Sequence, residues 1–332
     1  KSTSSSTGGS DMELTKTAVL PEGEDARSGR KKLPKNKFFT KQNVVCWVIV
    51  SVPLIAFLVF NGFTIIFSIM AMFGDMEYNQ LDTLKWNDFA NFIRIGENIG
   101  TIWQSIKVTL VMVLAQFTSL TIAIIMAAFL SQSVKGTRLF QTLYFIPYVC
   151  SSVAVSIMWT VIFGWNGALN SLLGTTIDWL NNMENPSTLT WAIFISVIWQ
   201  APGYGIVMYC SAFKSINPAL YEAAELDGAN TFQKFWYITI PGISTITFFL
   251  VLAGITAGLT TFDAARIMAP MSWDGYAGPE NAGLALMYYI YIEGVQFGNM
   301  GYASILSWLL FIVMMIPSVY LIRKRILSLE DL

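Results

Sequence analysis

The chain has 332 residues, 54% of them hydrophobic and only 12% charged, with a formal net charge of -1. Soluble domains carry about a quarter charged residues, so this composition excludes an ordinary water-solvated domain and suits a chain solvated by lipid. The near-neutral balance gives no reason to expect a nucleic-acid partner. Histidine is absent, which removes the commonest general base and the commonest metal ligand together. The three cysteines, Cys46, Cys150 and Cys210, lie far apart in or beside apolar segments. They fit neither a metal spacing nor a disulfide framework and read as buried thiols acting as small apolar side chains.

The chain opens with residues 1–43, a stretch rich in Ser, Gly and Lys that turns basic at Arg27, Arg30, Lys31, Lys32, Lys35, Lys37 and Lys41. Such a stretch cannot bury enough apolar surface to offset chain entropy, and a disordered tail is expected. A cleaved secretory signal is not, because the first apolar run starts late, is long and ends in MAMFGDMEYN without a small-residue cleavage site.

A hydrocarbon core about 30 Å thick needs roughly 20 apolar residues as helix. Six segments meet that length: about 44–73, 106–130, 139–163, 189–213, 243–268 and 303–322. They are too long and too continuously apolar for barrel strands, and a spanning helix satisfies its own backbone. The expected fold is all-α, a polytopic membrane bundle of about six helices over residues 44–332. In the fourth segment, Pro202 removes a donor between Gln200 and the glycines Gly203 and Gly205, which predicts a kink.

Orientation follows lysine and arginine. The tail, the second connection (Lys135, Arg138), the fourth (Lys214, Lys234) and the C-terminal Arg323, Lys324 and Arg325 are basic. With an even number of spans these share one side, which predicts both termini in the cytoplasm. The other side is richer in acid: Asp75, Glu77, Asp82, Asp88 and Glu97, then Asp178 and Glu184, then Asp274, Glu280 and Glu293.

The fourth connection, residues 214–243, is the most informative. Asn217-Pro218 reads as a helix start, followed by helix formers to Leu226 and by Gly228 where a left-handed end is expected. Thr231 is the expected cap of a second short helix, and Pro241 redirects the chain before span five. Leu220, Ala223, Ala224 and Asp227 share one face, with Tyr221 and Glu222 beside it. On composition alone this is an amphipathic helix at the membrane surface.

The order of residues says more. Glu222-Ala223-Ala224, three residues, Gly228, nine residues, Ile238, one residue, Ile240-Pro241 resembles the EAA loop of binding-protein-dependent ABC importer permeases, with Ile240 in place of the usual Leu. Trp86, Asn91 and Phe92 resemble the W-x-x-x-x-N-F stretch of the maltose and glycerol-3-phosphate type. Phe262-Asp263, Gly278-Pro279, Tyr291 and Gly301-Tyr302-Ala303 resemble later motifs of that group, with Val295 where Phe is usual and a longer segment before Gly278. The resemblance covers about residues 44–325. It implies a type I ABC importer transmembrane domain, a permease for a carbohydrate. It also implies a second permease subunit, a pair of ATPase subunits holding ATP and Mg, and an extracytoplasmic solute-binding protein as partners. The loop residues Leu220, Tyr221, Glu222, Ala223, Ala224, Asp227, Gly228 and Pro241 would couple to the ATPase.

This chain has no G-x-x-x-x-G-K-[ST] phosphate loop, so neither a bound cofactor nor catalysis is expected of it, and no metal site. Polar residues at membrane depth mark the candidate substrate path: Gln116, Gln200, Tyr204, Thr260, Thr261 and Asp263. The competing reading of each is helix–helix hydrogen bonding, or for Asp263 a pair with Arg266. Trp165 and Trp199 are candidates to stack a sugar ring or, equally, interfacial anchors. A secondary transporter is the alternative function, and it would call for matching halves with interrupted helices.

Overall fold

The computed structural model describes residues 41–76, 84–131, 136–271 and 275–330. The predicted basic tail lies outside the described residues except for 41–43, as do Glu77, Asp82, Lys135 and Asp274. Compactness divides the chain into residues 1–60 and 61–332. In the first unit, α1 (Lys41–Phe57) runs through Pro53 and leads into a π-turn, Leu58–Gly62. From Val45 to Phe60 its side chains are apolar on every face apart from Ser51, whose hydroxyl donates to the Val48 carbonyl at 2.9 Å. A helix apolar all round is suited to lipid or to a partner helix.

The second unit carries α2 (Phe63–Met72), a short antiparallel pair β1 (Gly74–Asp75) and β2 (Lys85–Trp86), α3 (Ala90–Glu97) and α4 (Ile99–Ser131). Next come α5 (Thr137–Val149), α6 (Ser152–Ile162), α7 (Ala168–Leu173), α8 (Ser187–Gln200), α9 (Pro202–Ser215) and α10 (Pro218–Leu226). The remainder is α11 (Thr231–Lys234), α12 (Ile240–Gly242), α13 (Ser244–Leu259), α14 (Asp263–Met268), α15 (Leu286–Tyr291) and α16 (Met300–Glu330).

Among the described residues, five stretches are long and apolar enough to cross a membrane: Val45–Met72, Ile99–Ser131, Ser187–Ser215, Ser244–Met268 and Met300–Leu327. The expected third span is not one straight helix. It is α5 and α6, bent by 93° at their junction. Pro147 sits near the end of α5, and Cys150 and Ser151 then leave helical geometry (ψ 146° and 130°). The Cys150 carbonyl, freed from the helix ladder, accepts from Gln200 Nε2 at 3.3 Å. The fourth span meets its predicted interruption at Ala201–Pro202 but continues as one span, because the Ala201 amide still bonds the Val197 carbonyl at 2.9 Å.

Helix α4 is the centre of this unit and packs on α8, α9 and α13. Its buried face includes Met112, Ala115, Ser119, Ala123 and Ala127, a small-residue stripe of the kind that lets membrane helices approach. Glycines answer it. A Cβ at Gly205 would lie 2.8 Å from Ala123 Cβ, and one at Gly258 would lie 2.6 Å from Val113 Cα.

The connection between α14 and α16 was expected to be an acid-bearing loop. Its described part is instead folded into the bundle. Ala277, Ala282, Leu284, Leu286, Tyr288, Tyr289 and Ile292 are buried. The Thr190 hydroxyl donates to the Ala282 carbonyl at 2.6 Å, and the Leu286 amide donates to Thr109 Oγ1 at 2.8 Å. Glu293 is fully buried and pairs with Arg94 at 2.9 Å. The cysteines divide as well: Cys210 is buried as expected, whereas Cys46, on the apolar α1, and Cys150, at the α5–α6 break, are exposed.

Candidate functional site

The connection between spans four and five is a helix, a glycine turn and a second helix. Asn217 caps α10, its side chain accepting from the Ala219 amide at 3.0 Å, with Pro218 at the first helical position. The helix ends in a Schellman motif: the Ala229 amide reaches the Ala224 carbonyl at 2.9 Å and the Gly228 amide the Glu225 carbonyl at 3.0 Å. Gly228 takes φ +76°, a conformation that costs any residue with a Cβ. The cap of α11 is Asn230, not Thr231. Asn230 and Gln233 form a reciprocal capping box, and Thr231 is the first helical residue. Asn230 won because its side chain reaches the Gln233 amide at 2.9 Å while Gln233 returns to the Asn230 amide at 2.8 Å.

Two contacts close this hairpin. Lys234 Nζ lies 2.6 Å from Glu225 Oε1. The hydrogen bond and charge of Lys234 hold the Glu225 carboxyl below its ordinary value. The Tyr221 hydroxyl meets Thr239 Oγ1 at 2.8 Å inside a π-turn, Phe235–Thr239, after which Pro241 sits in α12 and turns the chain toward α13. Leu220, Glu222, Ala223, Asp227, Gly228 and Pro241 are exposed, and Tyr221 and Ala224 are half-buried. Leu226 is 90% exposed, Tyr237 80% and Phe232 70%. Large apolar side chains left this bare on a polar-capped hairpin are of the kind found where a protein or a membrane surface is met.

The second arrangement is a cavity of about 470 Å³ among α4, α5, α6, α8, α9, α13 and α14. It brings together Gln116, Gln200, Tyr204, Thr261 and Asp263, five of the six residues singled out for the path. Thr260 is not among the lining residues. It is exposed, and its hydroxyl donates to the Thr256 carbonyl at 2.8 Å. Asp263 accepts a hydrogen bond from the Ser152 hydroxyl, and the pair with Arg266 that was its competing reading does not form. The Arg266 guanidinium instead lies over the Tyr291 ring at 4.7 Å and the Phe262 ring at 5.8 Å. The tryptophans stay out of the cavity lining. Trp199 meets Trp159 edge to face at 5.8 Å, and Trp165 is exposed.

The aromatic wall adds Tyr148 to Tyr204 and to the motif residue Phe262. Tyr148 stacks on Tyr204 with ring centroids 5.4 Å apart, and Phe262 lines the far side. Tyr148 and Ser152 enter the cavity because the third span breaks between them. Pro147 followed by Cys150-Ser151-Ser152 was the signal for that break. Together the cavity offers two amides, four hydroxyls, a carboxylate and three aromatic rings, which suits an uncharged ligand with many hydroxyls and apolar ring faces.

The remaining motif residues hold the frame. Asn91 is buried and donates to the Gly74 carbonyl at 3.0 Å. Trp86 stacks on Phe73 at 5.8 Å and Phe92 packs beside it at 5.3 Å. Gly301 fits where a Cβ would come within 2.3 Å of the Gly74 carbonyl, and Tyr302 lies beneath the Arg94 guanidinium at 4.4 Å.

Comparison with known proteins agrees with this geometry. Residues 119–328 match the profile of the binding-protein-dependent transport system inner membrane component family. The chain is 30% identical to the probable ABC transporter permease protein YesP of Bacillus subtilis, over 86% of this chain and 92% of that protein. It is 29% identical to the lactose transport system permease protein LacF of Rhizobium radiobacter, over 73% of this chain and 83% of that one. Its fold is like that of a chain in the crystal structure of a bacterial ABC transporter involved in the import of the acidic polysaccharide alginate. That likeness has a TM-score of 0.72 and 22% identity, covering 86% of this chain and 96% of the other. With the match spanning more than half its length and the relatives matched nearly end to end, this membrane chain belongs to the family of binding-protein-dependent transport system inner membrane components.

Proposed function

We propose that this chain is a permease subunit of an ATP-driven importer for a carbohydrate. It lines one half of the substrate path and is driven through its 214–241 hairpin by a separate ATPase pair. The observation that carries this reading is the hairpin itself. Its EAA order is built as a rigid unit by the Schellman end, the capping box and the Lys234–Glu225 clasp, and it presents bare Leu226, Phe232 and Tyr237.

The small residues Ala223 and Ala224 let a partner come close to the helix backbone, while Glu222 and Asp227 offer carboxylates to basic or amide groups. ATP binding closes the ATPase pair and pushes the hairpin, and the two permease subunits then exchange inward-open and outward-open states. A docked hairpin does this only if it favours one membrane state when nucleotide is bound. An extracytoplasmic binding protein delivers the solute on the side away from the hairpin, and both termini lie in the cytoplasm, as the lysine and arginine distribution implies. ATP and Mg belong to the partner ATPase, and this chain does no chemistry.

Carbohydrate is favoured by two things. The similar protein LacF is a lactose transport permease, and the fold neighbour belongs to a transporter involved in alginate import. The cavity of this chain joins amides and hydroxyls to aromatic faces. Purification of the tagged chain from native membranes, with partners identified by mass spectrometry, tests the assembly. Recovery of an ATPase and a second permease is expected. Recovery alone, from membranes where the tagged chain supports uptake, sinks the reading and revives a secondary transporter.

A further inference from the structure

A separate cleft of about 520 Å³ lies between the hairpin and the ends of the spans. Its walls include Ser131, Phe213, Lys214, Tyr221, Lys234 and Phe235. Ser131 is the last residue of α4, and Lys214 is next to the last residue of α9. The cleft therefore opens where two spans end, at the depth of the lipid headgroups. Three charged side chains line it: Lys214, Lys234 and Glu225. Lys234 is engaged by Glu225 at 2.6 Å, whereas among the described residues no carboxylate pairs with Lys214. Phe213, Phe235 and Ala128 supply an apolar wall beside these ammonium groups.

A recess with surplus positive charge, hydroxyls from Thr231 and Tyr221 and an apolar wall fits an anionic group attached to a hydrocarbon chain. Basic pockets between spans accept lipid headgroups for this reason. We propose that the cleft binds the phosphate headgroup of an anionic phospholipid, with Lys214 as its main contact and Glu225 as the competing carboxylate.

A lipid phosphate and Glu225 then compete for Lys234, so membrane charge acts on the clasp that closes the hairpin. A soluble phosphate would share the two lysines but would gain nothing from the apolar wall or from the depth of the site.

The test uses the full chain with its copurified partners in nanodiscs of equal parts phosphatidylglycerol and phosphatidylcholine. Lipids retained on the released complex are counted by native mass spectrometry. Preferential retention of phosphatidylglycerol is expected. Lys214→Gln should lower that preference about fivefold, the weight of one lysine at an anionic surface, with the complex still assembled. Glu225→Gln should raise it, an effect opposite to that of merely loosening the hairpin. Equal retention of both lipids by the unaltered chain, or a preference unmoved by Lys214→Gln, overturns the proposal. So does displacement of the lipid by millimolar inorganic phosphate, which would assign the cleft to a soluble anion.

Discussion

Gly258 has no side chain, and the α4 backbone takes up the room: Val113 Cα would be 2.6 Å from a Cβ there. Gly258→Ala should therefore separate α13 from α4 and cost about 1–3 kcal/mol, read as a lowered melting temperature in detergent. Gly62 has nothing within 4 Å of its Cβ position, and Gly62→Ala should leave the melt unchanged. Glu293 carries a second residue-scale prediction. Its carboxylate is fully buried and holds both Arg94 at 2.9 Å and Asn299 Nδ2 at 2.8 Å. Glu293→Ala leaves Arg94 without its partner and should destabilise by about 3 kcal/mol. Glu293→Gln, which keeps the shape and the acceptor, should cost less. In the sequence Glu293 was one acid among several on the outer side. Nothing local to it signals burial, because the partner that permits it lies 199 residues away.

Among the elements, the 214–241 hairpin was legible, and so was the third span, but not the break within it. The hairpin is made by contacts only a few residues apart: a cap, a glycine end, a second cap. Such chemistry is written in the order of neighbours, and the single misreading, Thr231 for Asn230, was a shift of one residue. Gly228→Val forces a β-branched residue into the left-handed region. It should reduce uptake while ATP hydrolysis by the assembled complex persists, measured in proteoliposomes. Glu222→Lys should give the same split if the hairpin transmits the push, and undiminished uptake with both variants would refute that role.

The clasp has a pH sign. Because Lys234 lowers the Glu225 pKa, its contribution is present above the ordinary carboxylate range. It is lost as pH falls through the lowered value. Protection of the 225–234 amides against hydrogen exchange, taken relative to the intrinsic rate at each pH, should fall on acidification below the ordinary carboxylate range, and Lys234→Gln should abolish that dependence. The break between α5 and α6 was missed because both halves are apolar. Hydropathy measures solvent preference and is blind to direction, so a 93° bend leaves it unchanged.

At the scale of the whole molecule, the candidate path is a cavity that no single element contains. Its walls come from seven helices, and Tyr148 reaches it only because α5 stops where it does. Tyr148→Ala should reduce sugar uptake up to about tenfold, the equivalent of ~1.4 kcal/mol. Thr260→Ala, outside the cavity, should leave uptake intact. Radiolabelled uptake at matched expression separates them, and equal loss in both would detach transport from this cavity.

The solvent, the approximate spans, the hairpin with its EAA order and the family can all be read from the order of residues. Each of these depends on composition or on near neighbours, which covalent order controls directly. Which polar residues meet is settled by packing between distant helices. Gln200 turned to the broken end of α5, Asp263 took Ser152 rather than Arg266, Glu293 went inside, and Thr260 stayed out. Those outcomes depend on how close α4 lets its neighbours come, and that distance is set by glycines and alanines whose partners lie far off in the chain.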